Sequence, residues 1–106
     1  MPKYLITASY TTEGIKGVVA KGGTGRRTAI QASIAALGGT LESFYFGFGG
    51  DDAYVLVDLP DNATAAALGL QVGASGMATT RTVVLLTPEE IDRAANVPNA
   101  YRPPGT

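Results

Sequence analysis

The stretch Thr40–Leu59, TLESFYFGFGGDDAYVLVDL, decides the fold. Its first half, Thr40 to Phe48, predicts a strand, because Phe44, Phe46 and Phe48 recur at every second position and share one face, with Leu41, Ser43 and Tyr45 on the other. Gly49-Gly50-Asp51-Asp52 is turn chemistry: glycine tolerates left-handed backbone, and aspartate hydrogen-bonds nearby main chain. Ala53 to Leu59 alternates again, so the two runs predict an antiparallel hairpin.

Strand and helix signals continue on both sides of the hairpin. Upstream, Tyr4 to Tyr10 reads as a first strand. Thr11 or Thr12 can cap a helix that carries Glu13 in its first turn and Ile15, Val18 and Val19 as an apolar stripe. Lys21-Gly22-Gly23-Thr24-Gly25 interrupts that helix, and a second helical piece runs from about Gly25 to Leu37. There Ile30, Ile34 and Leu37 recur on one face, and Gly38-Gly39 stops the piece. Downstream, Pro60-Asp61-Asn62 opens an alanine-rich helix to about Ser75 or Gly76, whose small residues Ala65, Ala66, Gly69 and Gly73 permit close approach to a sheet. Ala78 to Leu86 reads as the last strand, and Thr87-Pro88-Glu89-Glu90 starts a short helix.

The order β-α-β-β-α-β predicts an α+β, ferredoxin-like fold: a four-stranded antiparallel sheet with helices on one face and a short C-terminal helix. The domain is assigned to residues 1–96 and a proline-rich tail to 97–106. The three strands read for alternation carry apolar residues on both faces, as in Tyr4, Ile6 and Ala8 against Leu5, or Thr82, Val84 and Leu86 against Val83 and Leu85. A sheet face open to water alternates more cleanly. A homo-oligomer is therefore expected, two sheets pairing face to face in the manner of a dimeric α/β barrel, in preference to a tail that folds back over the sheet.

Composition excludes several function classes. The chain has no Cys and no His, so a Cys/His zinc site, a disulfide framework and a Ser-His-Asp or Cys-His catalytic system are impossible; no metal and no cofactor are expected. Net charge is −1, with a sequence pI near 5.2. Phosphate neutralisation needs clustered Lys and Arg, so nucleic acid is not an expected partner. No apolar run reaches membrane-spanning length, and the first ten residues lack a signal-peptide pattern, so no membrane partner is expected and a cytoplasmic location is.

The chain resembles the GYD-domain family from about Lys3 to Ala94. The resemblance is carried by Tyr10-Thr11-Thr12-Glu13-Gly14-Ile15-Lys16, Arg26-Arg27 and Leu37-Gly38-Gly39. It continues through Phe44-Tyr45-Phe46-Gly47-Phe48-Gly49-Gly50-Asp51-Asp52, Asp58-Leu59-Pro60-Asp61, Gly73-Ala74-Ser75-Gly76 and Leu86-Thr87-Pro88-Glu89-Glu90. The naming Gly-Tyr-Asp motif falls on Gly50-Asp51-Asp52, where Asp51 stands in place of the tyrosine. The resemblance implies a ferredoxin-like fold and oligomers; it implies no particular activity.

The candidate ligand-binding residues are Tyr10, Lys16, Arg26, Arg27, Tyr45, Asp52 and Arg81, with Tyr54 also weighed. Gly17 to Thr24 looks like a phosphate loop, but Gly23 stands where that motif needs lysine and a helical stretch precedes it, so an interhelical loop is the expectation. The aromatic run Phe44 to Phe48 echoes an RNA-binding strand without its basic neighbours, so core packing is expected. Asp51 and Asp52 are expected to serve the hairpin turn. Three functions remain in play: a small-molecule-binding oligomer with a pocket between sheet and helices or at the subunit interface; a metal-independent enzyme on a small organic substrate using Tyr10, Tyr45, Asp52 and an arginine; and a structural assembly subunit.

Overall fold

A computed structural model describes residues 1–106. The elements are β1 (Lys3–Tyr10), α1 (Thr12–Ala36), β2 (Thr40–Phe46), β3 (Ala53–Asp58), α2 (Asn62–Ala74), β4 (Ala78–Leu85) and α3 (Pro88–Ala95). The strands form one open antiparallel sheet in the order β2-β3-β1-β4. α1 packs over β2 and β1, and α2 over β4. No helix is long and apolar enough to cross a membrane.

The core lies between this sheet and the two long helices. Tyr4, Ile6, Ala53, Val55, Val57 and Leu59 from the sheet side meet Ile34, Ala65 and Leu68 from the helices. Tyr4 is wholly buried, and its hydroxyl donates to Asn62 Oδ1 at 2.7 Å, at the first position of α2. Burial, with the nearby Asp61 charge, pushes the Tyr4 phenol up from its ordinary value.

Local signals set the helix ends. Thr11 Oγ1 accepts from Gly14 N–H, and the Thr11 main-chain N–H donates to Met77 O at 2.9 Å, tying the start of α1 to the turn before β4. Gly14 sits so close to that carbonyl that a Cβ would lie 2.0 Å from Met77 O. At the other end Gly38, at φ 79°, donates to Ala35 O, and Gly39 donates to Ile34 O, which closes the helix. Asp61 caps α2 by accepting from Thr64, and Thr87 and Glu90 form a reciprocal capping box on α3.

Three sequence expectations need correction. The glycine-rich segment 21–25 is no interhelical loop: only Gly22 leaves helical geometry (φ 77°, ψ 166°), so two helical segments meet at a single kink. β2 ends at Phe46, two residues early, because Gly47 N–H donates to Asp52 O and closes the hairpin there; Phe48 is fully exposed. Leu41 lies on the helix side with Phe44, because an irregularity between Leu41 and Ser43 leaves Glu42 as an extra residue and shifts the alternation by one.

The second face of the sheet has no helix over it. Leu5, Leu56, Tyr54, Val83, Leu85 and Tyr45 form its apolar band. Its charges are paired among themselves: Lys3 with Glu42 and Asp58 at one end, Arg81 with Asp51 at the other. The C-terminal segment does not fold back over it. Residues 91–106 are exposed throughout, and the molecule measures 57 × 32 × 23 Å, drawn out along one axis.

Candidate functional site

The helix-side rows of the sheet become smaller from one end to the other. Leu41, Val57, Tyr4 and Val84 lie side by side in one row, and Phe44, Val55, Ile6 and Thr82 in the next. The third row is Phe46, Ala53, Ala8 and Thr80, and beyond it Tyr10 pairs with Ala78. Where alanines replace the larger side chains, Leu68, Gly69 and Val72 of α2 and Ile30 and Ile34 of α1 do not reach far enough to close the gap. A cavity of about 50 Å³ remains, and 11 of its 15 lining residues are apolar, so its interior suits a hydrocarbon.

Tyr10 and Arg26 form the lip. The Arg26 guanidinium lies 5.9 Å from the centre of the Tyr10 ring, within cation–π range. Its Nε is buried and has no hydrogen-bond partner. Both residues also line a second hollow of about 280 Å³ on the outer side, between the first half of α1 and Met77, where Lys21 and Glu13 join them. Glu13 is paired with Lys16 at 3.7 Å, whereas neither Lys21 nor Arg26 takes part in an ion pair. The lip is therefore cationic on its outer side and apolar on its inner side.

The structure draws together only part of the set proposed from sequence. Tyr10 and Arg26 meet at the lip, and Asp52 holds the Tyr10 main chain: its Oδ2 accepts the Tyr10 main-chain N–H at 2.8 Å, and its own N–H donates to Ala8 O. Lys16 is exposed beside Glu13. Arg27 and Tyr45 line a separate shallow groove with Glu42, Ser43 and Phe44. Arg81 lies on the open sheet face and binds Asp51, which also accepts from Ser9 Oγ at 3.0 Å. The Arg81 guanidinium, helped by the Ser9 and Thr7 hydroxyls, holds the Asp51 carboxyl below the usual carboxylate range. Likewise, hydrogen bonds to Glu42 and Asp58 raise the Lys3 ammonium above its ordinary value. Tyr54 pairs with Tyr45 across the hairpin on the open face.

Sequence reasoning missed the cavity floor. Ala8, Ala53 and Ala78 lie far apart in the chain, and only the register of three strands makes them neighbours. The available signal was an alanine at an inward position of β1, β3 and β4 near the same sheet end.

One comparison with known proteins gives a match: the family described as GYD domain fits residues 4–95. No curated protein and no solved structure matches the chain.

Proposed function

The chain belongs to the GYD domain family, and on that footing we propose that it is a cytoplasmic, self-associating domain of ferredoxin-like architecture that binds a small molecule in the cavity between sheet and helices. The β-α-β-β-α-β order and the strand order support the architecture. The observation that carries the binding reading is the unpartnered, buried Arg26 Nε at the lip of an apolar cavity. A buried donor without an acceptor costs about 1–3 kcal/mol, so proteins seldom keep one without use. Binding is favoured over turnover because no carboxylate lines the cavity, and Asp51 and Asp52 are engaged by Arg81, Ser9 and the Tyr10 main-chain N–H.

Self-association is supported by the open sheet face. Four strands about 4.8 Å apart and roughly six residues of ~3.3 Å cover a plane of about 400 Å². An apolar band runs across that plane, and the ion pairs at its two ends offset most of the charge that would otherwise oppose a second copy.

Xenon tests the cavity without presupposing a ligand. Under xenon pressure, amide resonances of Ala8, Ala53 and Ala78 should shift in a saturable manner, and Ala53→Val, which fills the floor, should abolish the shift. Unchanged resonances at every pressure would remove the binding reading.

A further inference from the structure

We infer that the ligand is a small monocarboxylate with a short aliphatic body, held by its carboxylate on Arg26 and by its hydrocarbon in the alanine-floored cavity. This rests on the binding reading above and adds the class of molecule. The guanidinium never loses its proton and offers donors in a planar fork, and no acceptor within the protein meets its Nε–H. The guanidinium carbon lies 5.9 Å from the centre of the Tyr10 ring, which shares its charge but supplies no hydrogen-bond acceptor. An edge-on partner of a guanidinium that satisfies two donors at once is a carboxylate, bound side by side.

Charge agrees with this geometry. Of the ionisable groups lining the outer hollow, Glu13 is already paired with Lys16, while Arg26 and Lys21 carry no counter-charge. A phosphoryl group suits the site less well. It brings up to about two charges and three acceptor oxygens to one guanidinium and one exposed lysine. The inner cavity sets the body. A volume of about 50 Å³ is space for roughly two water-sized groups, which fits two or three carbons and no aromatic ring, since a cavity known to take benzene measures about 150 Å³. The Thr80 and Thr82 hydroxyls are the uncharged side-chain polar groups among the strand residues that line it, apart from Tyr10. Isobutyrate has the required head and body.

The test is a titration of the full chain with isobutyrate, isobutyramide and inorganic phosphate, followed by two-dimensional NMR of the backbone amides and of the Arg26 Nε–H. The expected result is that isobutyrate shifts Arg26 Nε–H and the amides of Ala8 and Ala53, and binds at least tenfold more tightly than isobutyramide. Arg26→Gln should remove that preference while leaving the xenon response of the cavity in place, and Arg26→Lys, which keeps the charge without the fork, should retain only part of it. Thermal melts of both variants check that they fold; if Arg26→Gln does not fold, the acid-to-amide ratio in the parent and in Arg26→Lys decides. Equal binding of acid and amide in the cavity would overturn the carboxylate class and leave the binding reading standing. Preference for phosphate, or isobutyrate shifts confined to residues away from Arg26, would also overturn the class. A chain in which neither xenon nor any of the three probes reaches Ala8 and Ala53 would overturn both.

Discussion

Gly14 and Gly17 lie three residues apart on the same helix, and the same substitution should have opposite effects at the two positions. At Gly14 a Cβ would stand 2.0 Å from Met77 O and 3.0 Å from Met77 C, both main-chain atoms that cannot rotate away. Gly14→Ala must push α1 off the turn before β4. That movement strains the Thr11 N–H to Met77 O bond at 2.9 Å and the two contacts of the Thr11 hydroxyl to Gly76 O and Met77 O. Overpacking of this kind costs about 1–3 kcal/mol, and weakening one main-chain hydrogen bond adds roughly 1 kcal/mol. The loss should be about 2–4 kcal/mol, which at roughly 4–8 °C per kcal/mol lowers Tm by about 10–30 °C. At Gly17 nothing lies within 4 Å of the new Cβ, so Gly17→Ala should gain the ordinary helix-interior difference of about 1 kcal/mol and raise Tm by roughly 4–8 °C. Circular dichroism melts of the two variants and the parent give the comparison. Hydrogen exchange at Thr11 should accelerate only in Gly14→Ala. Equal shifts of the same sign, or a neutral Gly14→Ala, would refute the claim that this helix start is wedged against the main chain.

Removing the carboxylate in Asp52→Ala strands the Tyr10 N–H and should cost about 1–3 kcal/mol in urea melts, whereas Asp52→Asn keeps an acceptor oxygen and should lose roughly 1 kcal/mol or less. Because the folded Asp51 carboxyl titrates below its ordinary range, its contribution is present above that range and disappears as pH falls through the lowered value; acid unfolding of Asp51→Asn should therefore have a shallower low-pH limb than that of the parent. Val83→Glu places a charge in the apolar band of the open sheet face, at a half-exposed position on the edge strand β4, and should shift light-scattering mass to that of a single chain without lowering the monomer's Tm by more than a few degrees. Ala53→Val should fill part of the cavity and raise Tm by up to about 4–8 °C, and a marked loss of stability would mean that the floor is already full.

Much of the architecture was legible because local chemistry and tertiary placement agree. Thr87-Pro88-Glu89-Glu90 reads as a capped start and is one, and Gly38-Gly39 ends α1 with the expected left-handed backbone. The misreadings have a common physical origin: each depends on a partner that the sequence does not name. The face of Leu41 follows from Glu42 being extra against β3, which alternation within β2 cannot reveal. The glycines between Lys21 and Gly25 look like a break by propensity, yet Gly23 is held against the Phe46 ring, where a Cβ would lie 3.1 Å from Cε2, so the chain resumes its helix after one residue. The same holds for the candidate site. Residue type alone picks out Tyr10 and Arg26, but their meeting depends on where α1 crosses the sheet end. Lys16, Arg27 and Arg81 were equally plausible by type and lie on other surfaces.

The outstretched C-terminal arm changes how the molecule moves through solvent. Its radius of gyration is 16.9 Å, whereas a compact chain of this length has about 13 Å. By the same scaling, 16.9 Å belongs to a globule of roughly 210 residues. A single copy will therefore elute from a sizing column, and tumble in relaxation measurements, close to where a compact pair of chains would. The number of subunits has to be read from scattered intensity or sedimented mass. A version ending at residue 96 should elute later by more than its missing ten residues would suggest.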